Sequence, residues 1–103
     1  MKVTIQKELS EYMHEHHRDT ISLRLIHDDL SNGNINSNHP RIRWSEPKHT
    51  ERFDRIEVDD ITVYVEKDIK TNNDSLEFIH EKLLGVHRCH VRGLNLDFVE
   101  DIM

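Results

Sequence analysis

The sequence predicts an α+β fold: a small mixed or antiparallel β-sheet domain with one N-terminal amphipathic helix. Three observations predict it. The chain has no alanine, whereas Ile, Val and Thr supply 22 of its 103 residues, a balance that favours strands over a helical bundle. One stretch near the start shows a helical apolar period, and most of the other apolar stretches alternate with a period of two. Leu, Ile, Val and Phe together make 29 residues, above the roughly 20% below which disorder becomes the default, so a modest core is expected. Compact domains usually run to about 100–150 residues, so residues 1–103 are expected to form one domain.

Taken in order, Val3 to Ile5 is a short strand candidate. Gln6 to His17 follows as a helix, with Leu9, Tyr12 and Met13 recurring at i, i+3 and i+4. Glu8 and Glu11 lie in its early turns and His14, His16, His17 and Arg18 crowd its end, the charge order the helix dipole prefers. Thr20 to His27 alternates, with Ile21, Leu23 and Leu25 on one side and Ser22 and Arg24 on the other, and reads as a strand. Asp28 to Pro40 concentrates Asn, Ser, Asp and Gly and is expected to be a loop. Arg41 to Trp44 is a short strand candidate, closed by the turn Glu46-Pro47-Lys48-His49. Arg55–Val58 and Ile61–Val65 flank Asp59-Asp60 as a hairpin would. Leu76, Ile79, Leu83 and Leu84 fit a helix while Leu76 and Phe78 also fit a strand, and periodicity leans slightly to helix. After Gly85, Val86 to Arg92 is strand-like, Gly93 marks a turn or bulge, and Leu94, Leu96 and Phe98 alternate again.

Charge and cysteine content narrow the function. A net charge of −6 with 14 scattered basic residues argues against a nucleic-acid backbone binder, which shows a basic patch. No stretch approaches the roughly 18 apolar residues of a membrane span, and the first 20 residues lack the apolar centre of a signal peptide, so a cytoplasmic protein away from membranes is expected. The one cysteine, Cys89, permits neither an internal disulfide nor a multi-thiolate metal site within one chain.

The segments VTIQKELSEYM, ISLRLI, RIEVDDITVYVEKDI and LEFIHEKLLGVHRCHVRG, in this order, resemble the HesB-type domain of A-type (IscA-like) iron–sulfur carrier proteins. The resemblance implies a HesB-like fold with Leu76 to Lys82 as a strand, and a protein partner in the iron–sulfur assembly machinery. It does not bring the cluster ligands with it. Cluster-carrying members place one cysteine in the loop after the first central strand and a Cys-Gly-Cys pair in the tail. Here that loop reads DDLSNGNINSNHP and the chain ends Asp101-Ile102-Met103. Thiolates normally hold iron in clusters, and Asn or Ser are poor replacements.

Nine histidines are the oddest compositional fact, and imidazole suits Zn, Fe, Cu and Ni. On a strand, alternation puts His87 and Cys89 on one face and His90 on the other. His87 and Cys89 are therefore the candidate metal pair, with His80 the leading third ligand and His27 and His39 as alternatives. The plainer reading is polar residues on edge strands around a small buried thiol. On the helix, His14 and His17 are i, i+3 neighbours with Glu11 or Glu15 nearby, yet Arg18 stands where the metalloprotease helix motif needs its second His. No Gly-rich phosphate loop and no Gly-x-Ser-x-Gly elbow occurs. Asp28-Asp29 and Asp59-Asp60 read as solvated turn formers rather than hard-cation ligands. Trp44, beside Arg41 and Arg43, reads as a partly buried anchor rather than a binding surface.

The expectation is a non-enzymatic binding or accessory module related to the iron–sulfur carriers, monomeric or homodimeric, with either no cofactor or a weakly held transition metal. The alternatives are a histidine-based metal binder and a homo-oligomeric interaction protein that pairs through an open sheet edge.

Overall fold

The computed structural model describes residues 1–29, 36–94 and 98–102. Strand β1 (Lys2–Ile5) leads into helix α1 (Lys7–Glu15), then β2 (Thr20–Asp29) and β3 (Asn36–Arg43). A hairpin of β4 (Phe53–Val58) and β5 (Ile61–Glu66) follows, then β6 (Ser75–Leu83), β7 (Val86–Arg92) and β8 (Phe98–Asp101). The α+β class with a single α-helix among the described residues stands, but there are two sheets where one was expected. Each is mixed and four-stranded, with orders β1-β6-β7-β8 and β3-β2-β5-β4.

Parallel pairing of β1 with β6 and of β2 with β5 accounts for the mixture; the other ladders are antiparallel. A parallel neighbour requires a crossover, so each of these two ladders joins residues far apart in sequence. Lys2–Ile5 enters one sheet and Thr20 the other, with α1 as the bridge between them.

Both sheets turn one face inward. Ile21 and Leu23 on β2, Ile42 on β3 and Ile61, Val63 and Val65 on β5 meet Leu76 and Phe78 on β6 and Cys89 and Val91 on β7 in one apolar cluster. The helix adds Leu9 and Met13, both fully buried. This follows from the period-two alternation of each strand, since every second residue must leave the inner face.

Several expectations are corrected. The segment from Leu76 to Leu84 is strand through Leu83, so the helical lean of its periodicity loses to the alternation of Leu76 and Phe78, both buried beside β1. Asp28-Asp29 and Asn36–Pro40, expected as loop, extend the β2–β3 hairpin, with Asp29 opposite Asn36. Cross-strand pairing supplies the backbone partners that the local Asn and Ser chemistry would otherwise have taken. Residues 30–35 of that expected loop, and Leu96, lie outside the described residues. The 59–60 turn is confirmed, with Asp59 at φ 55°.

Gly93 holds the junction after β7. Its φ of +108° lies where side chains are strained, and a Cβ there would collide with the backbone carbonyl of Ser75, while its own carbonyl accepts the Asn72 N–H at 2.6 Å. Gly85, at φ +81° in the β6–β7 turn, has open space around it. Gly93→Ala should therefore lower unfolding free energy by more than about 2 kcal/mol or prevent folding, and Gly85→Ala by only about 1 kcal/mol. Urea unfolding followed by circular dichroism decides it: equal costs at the two positions would contradict the close approach at Gly93.

Candidate functional site

In the β6–β7 ladder His80 stands opposite Cys89 and Lys82 opposite His87, so these four residues share the inner face as it runs out beyond the core. Cys89 still belongs to the core. His80 and His87 stand half-buried at its rim and meet as diagonal neighbours. Their rings stack with centroids 5.0 Å apart and 24° between planes, and His80 Nε2 lies 2.8 Å from His87 Nδ1.

The helix supplies the wall. Tyr12 lies 4.9 Å from the His80 ring and 4.6 Å from the His87 ring, and His16, one turn further along α1, lies 4.3 Å from Tyr12. Gln6 fixes the strand beneath: its backbone N–H donates to Phe78 O and its side-chain Oε1 accepts the His80 N–H, both at 2.9 Å. The His80 backbone is thus held by the residue that starts the helix carrying Tyr12.

Two imidazoles at hydrogen-bond distance share one proton, with one ring donating and the other accepting, so the pair resists carrying two full charges. Burial, the neighbouring His80, Lys82 and His16 all push the His87 imidazole below its ordinary range, in that order of weight. The Cys89 thiol moves the other way. Burial, with Glu100 next in weight, pushes it up to about 12, so it stays protonated and weakly nucleophilic.

The sequence-predicted trio of His80, His87 and Cys89 is therefore divided. The two imidazoles come together, and the sulfur lies under them in the core. Among the described residues no group of three His, Cys, Asp or Glu side chains converges to hold an ion. His14 pairs instead with Asp60 at 2.9 Å, and His17 sits beyond the helix at φ 57°. His90 lies on the opposite face from His87, with Nδ1 2.9 Å from Glu81 Oε1. The side chains of His27, His39, Asp28 and Asp29 lie outside the described set. Trp44 packs against the core with the Arg18 guanidinium 5.4 Å from its ring centre, as an anchor would.

Tyr12 and His16 were the residues sequence reasoning missed. Tyr12 had the spacing of a core position, and only the i, i+4 relation of the two aromatic rings hinted that they share a face.

Two outcomes follow from this geometry. A thiol reagent such as dithionitrobenzoate should leave Cys89 unmodified in the native protein and react with one equivalent in denaturant; rapid native labelling would contradict its burial. In an NMR titration His87 should protonate below the usual value of about 6.5, and His80→Ala should move it upward. Because the unfolded chain takes that proton first, His87 lowers stability as pH falls from about 6.5 toward its folded value. A titration at or above the ordinary value would refute the coupling.

A family described as the CC/Se motif containing family matches residues 1–94. No curated protein and no solved structure matches the chain. The match overturns the resemblance to the HesB-type carriers and the assignment to iron–sulfur biogenesis that came with it. The matched description names a CC/Se motif, yet no two cysteines adjoin anywhere in this sequence, whose single cysteine is Cys89.

Proposed function

The chain belongs to the CC/Se motif containing family, and we propose that this member is a non-catalytic protein that binds a transition-metal ion through His80 and His87. The 2.8 Å approach of His80 Nε2 to His87 Nδ1 carries the reading. Two ring nitrogens that already point at one another need only exchange their shared proton for a cation.

The distances are suitable. With metal–imidazole bonds of about 2.0–2.1 Å, a tetrahedral bite separates two nitrogens by roughly 3.3 Å, so the rings must part by only about half an ångström. His87 favours the neutral form that ligation requires. Tyr12 limits ring motion on the helix side, and Gln6 holds the His80 backbone.

Two protein ligands leave coordination positions for water or an exogenous group, so the ion is exchangeable and its affinity modest. The preferred ions are those that imidazole suits, with Cu²⁺ above Ni²⁺ and Zn²⁺. Cys89, the residue most apt to act as a nucleophile, is buried and protonated, which supports binding rather than catalysis.

Titration of the 103-residue chain with ZnCl₂ and NiCl₂, followed by calorimetry at pH 7.5 and 5.5, tests the proposal. One saturable equivalent is expected at pH 7.5, weakened at pH 5.5 and lost in both His80→Ala and His87→Ala. His14→Ala should keep it. Absence of saturable binding, or equal binding by wild type and both pair variants, would sink the reading.

A further inference from the structure

On the far side of the β3-β2-β5-β4 sheet, the segment after Trp44 folds back over the outer face. Tyr64 O–H donates to Glu46 at 3.4 Å, and Phe53 meets the Tyr64 ring edge-on at 6.5 Å. Between this segment and the sheet lies a cleft of about 660 Å³. Such a volume is in the range that encloses a small organic molecule.

Its charge runs against that of the protein. Arg24, Arg43, Lys48 and Arg52 line it against two carboxylates, Glu46 and Glu66, in a chain of net charge −6. Glu46 accepts from Tyr64, and Glu66 Oε2 accepts the Leu25 N–H at 2.6 Å, so both acids have structural tasks.

The sheet register concentrates the cations. Arg24 on β2 stands directly opposite Arg41 on β3, with Arg43 two residues further on the same face. Like charges set opposite each other in a ladder repel. Arg41 is relieved by Glu100, whose Oε1 lies 2.6 Å from its Nε. Arg24 feels Glu66 in the same cleft, but its Nε is buried and lacks a hydrogen-bond partner among the described residues. A buried charged donor left in this way carries a desolvation cost that an incoming oxyanion would remove.

We propose that this cleft binds a small organic anion of the phosphate-ester class, its oxyanion held by Arg24 and Arg43 and its organic body against Ile26, which shares the outer face with Arg24, and Phe53. Guanidinium forks match the paired oxygens of a phosphate or carboxylate, and Lys48 and Arg52 at the mouth add field without fixed geometry. The concave shape and the negative charge of the whole chain favour a small molecule over a nucleic-acid backbone. Burial and the adjacent Arg43 and Arg41 also bring the Arg24 guanidinium below its ordinary value, with Glu66 opposing, which marks the same electrostatic demand.

The proposal is independent of the histidine pair on the other sheet, and its test is separate. The ¹⁵N-labelled chain is titrated with phenyl phosphate, benzoate and inorganic phosphate in metal-free buffer, with amide shifts as readout. Phenyl phosphate should saturate with shifts clustered at Arg24, Arg43 and Lys48, and should bind more tightly than inorganic phosphate. A benzoate affinity above that of phenyl phosphate would reassign the oxyanion to a carboxylate and overturn the phosphate-ester class. Arg24→Gln should weaken phenyl phosphate by about tenfold or more, the scale of one charge-assisted contact. Arg55→Gln, whose native guanidinium pairs with Glu57 on the same sheet face outside the cleft, should change affinity by less than about twofold. Should Arg24→Gln fail to fold, Arg43→Gln carries the same expectation. No saturation at millimolar ligand, equal losses in the Arg24 and Arg55 variants, or tighter binding of duplex DNA would each overturn the assignment.

Discussion

The structure depends on burying the facing sides of two small sheets with few large side chains. Among the described residues, Phe78 is the one aromatic in the fully buried set, and the remainder is Leu, Ile, Val, Met and Cys, with Ser22 as the polar exception. Dispersion and solvent exclusion over such a thin core require that every inward position be apolar. The alternation of a strand then dictates the rest, because residues refused by the inner face must appear on the outer one. Arg24 lies between the buried Leu23 and the partly buried Leu25, so its outward position follows from the core. The rim position of His80 and His87 has the same origin: they continue the row of Phe78 and Cys89 past the point where the opposing sheet covers it.

Three polar side chains extend the ladders where backbone pairing ends. The β1–β6 ladder stops at Ile5 and Phe78, and Gln6 Oε1 then accepts the His80 N–H. The β2–β5 ladder stops at Leu23 and Val65, and Glu66 Oε2 accepts the Leu25 N–H. On edge strand β3, the Ile42 N–H donates to Glu100 of β8 at 3.0 Å, which links the two sheets. Backbone donors at half-covered positions must find acceptors, and here a carboxylate or amide supplies them without another strand. Two of these residues also border a candidate site, Gln6 beside the imidazole pair and Glu66 in the cationic cleft, while Glu100 pairs with Arg41.

The family correction carries a physical lesson. A strand, a helix, a strand and two hairpins in sequence reflect rules of chain connectivity that many small α+β proteins obey, so order and spacing of such pieces are weak evidence of kinship. Ligand chemistry is the sharper discriminator. The DDLSNGNINSNHP segment holds no cysteine, so the carriers' ligand position in that loop has no counterpart here.

The sequence by itself determined the α+β class, the helix near residues 7–15, the β4–β5 hairpin, the β7 span and the opposite faces of His87 and His90. These rest on local periodicity and turn chemistry, which adjacent residues encode. It could not decide the state of Ser75–Leu83, because that segment satisfies both periods and only its place beside β1, some seventy residues earlier in the chain, makes it a strand. Nor could it bring His80 next to His87 and Tyr12, or set Arg24 opposite Arg41, since diagonal and cross-strand neighbours depend on register. Register is settled by which faces are buried across the whole molecule, and that is a property of the tertiary structure.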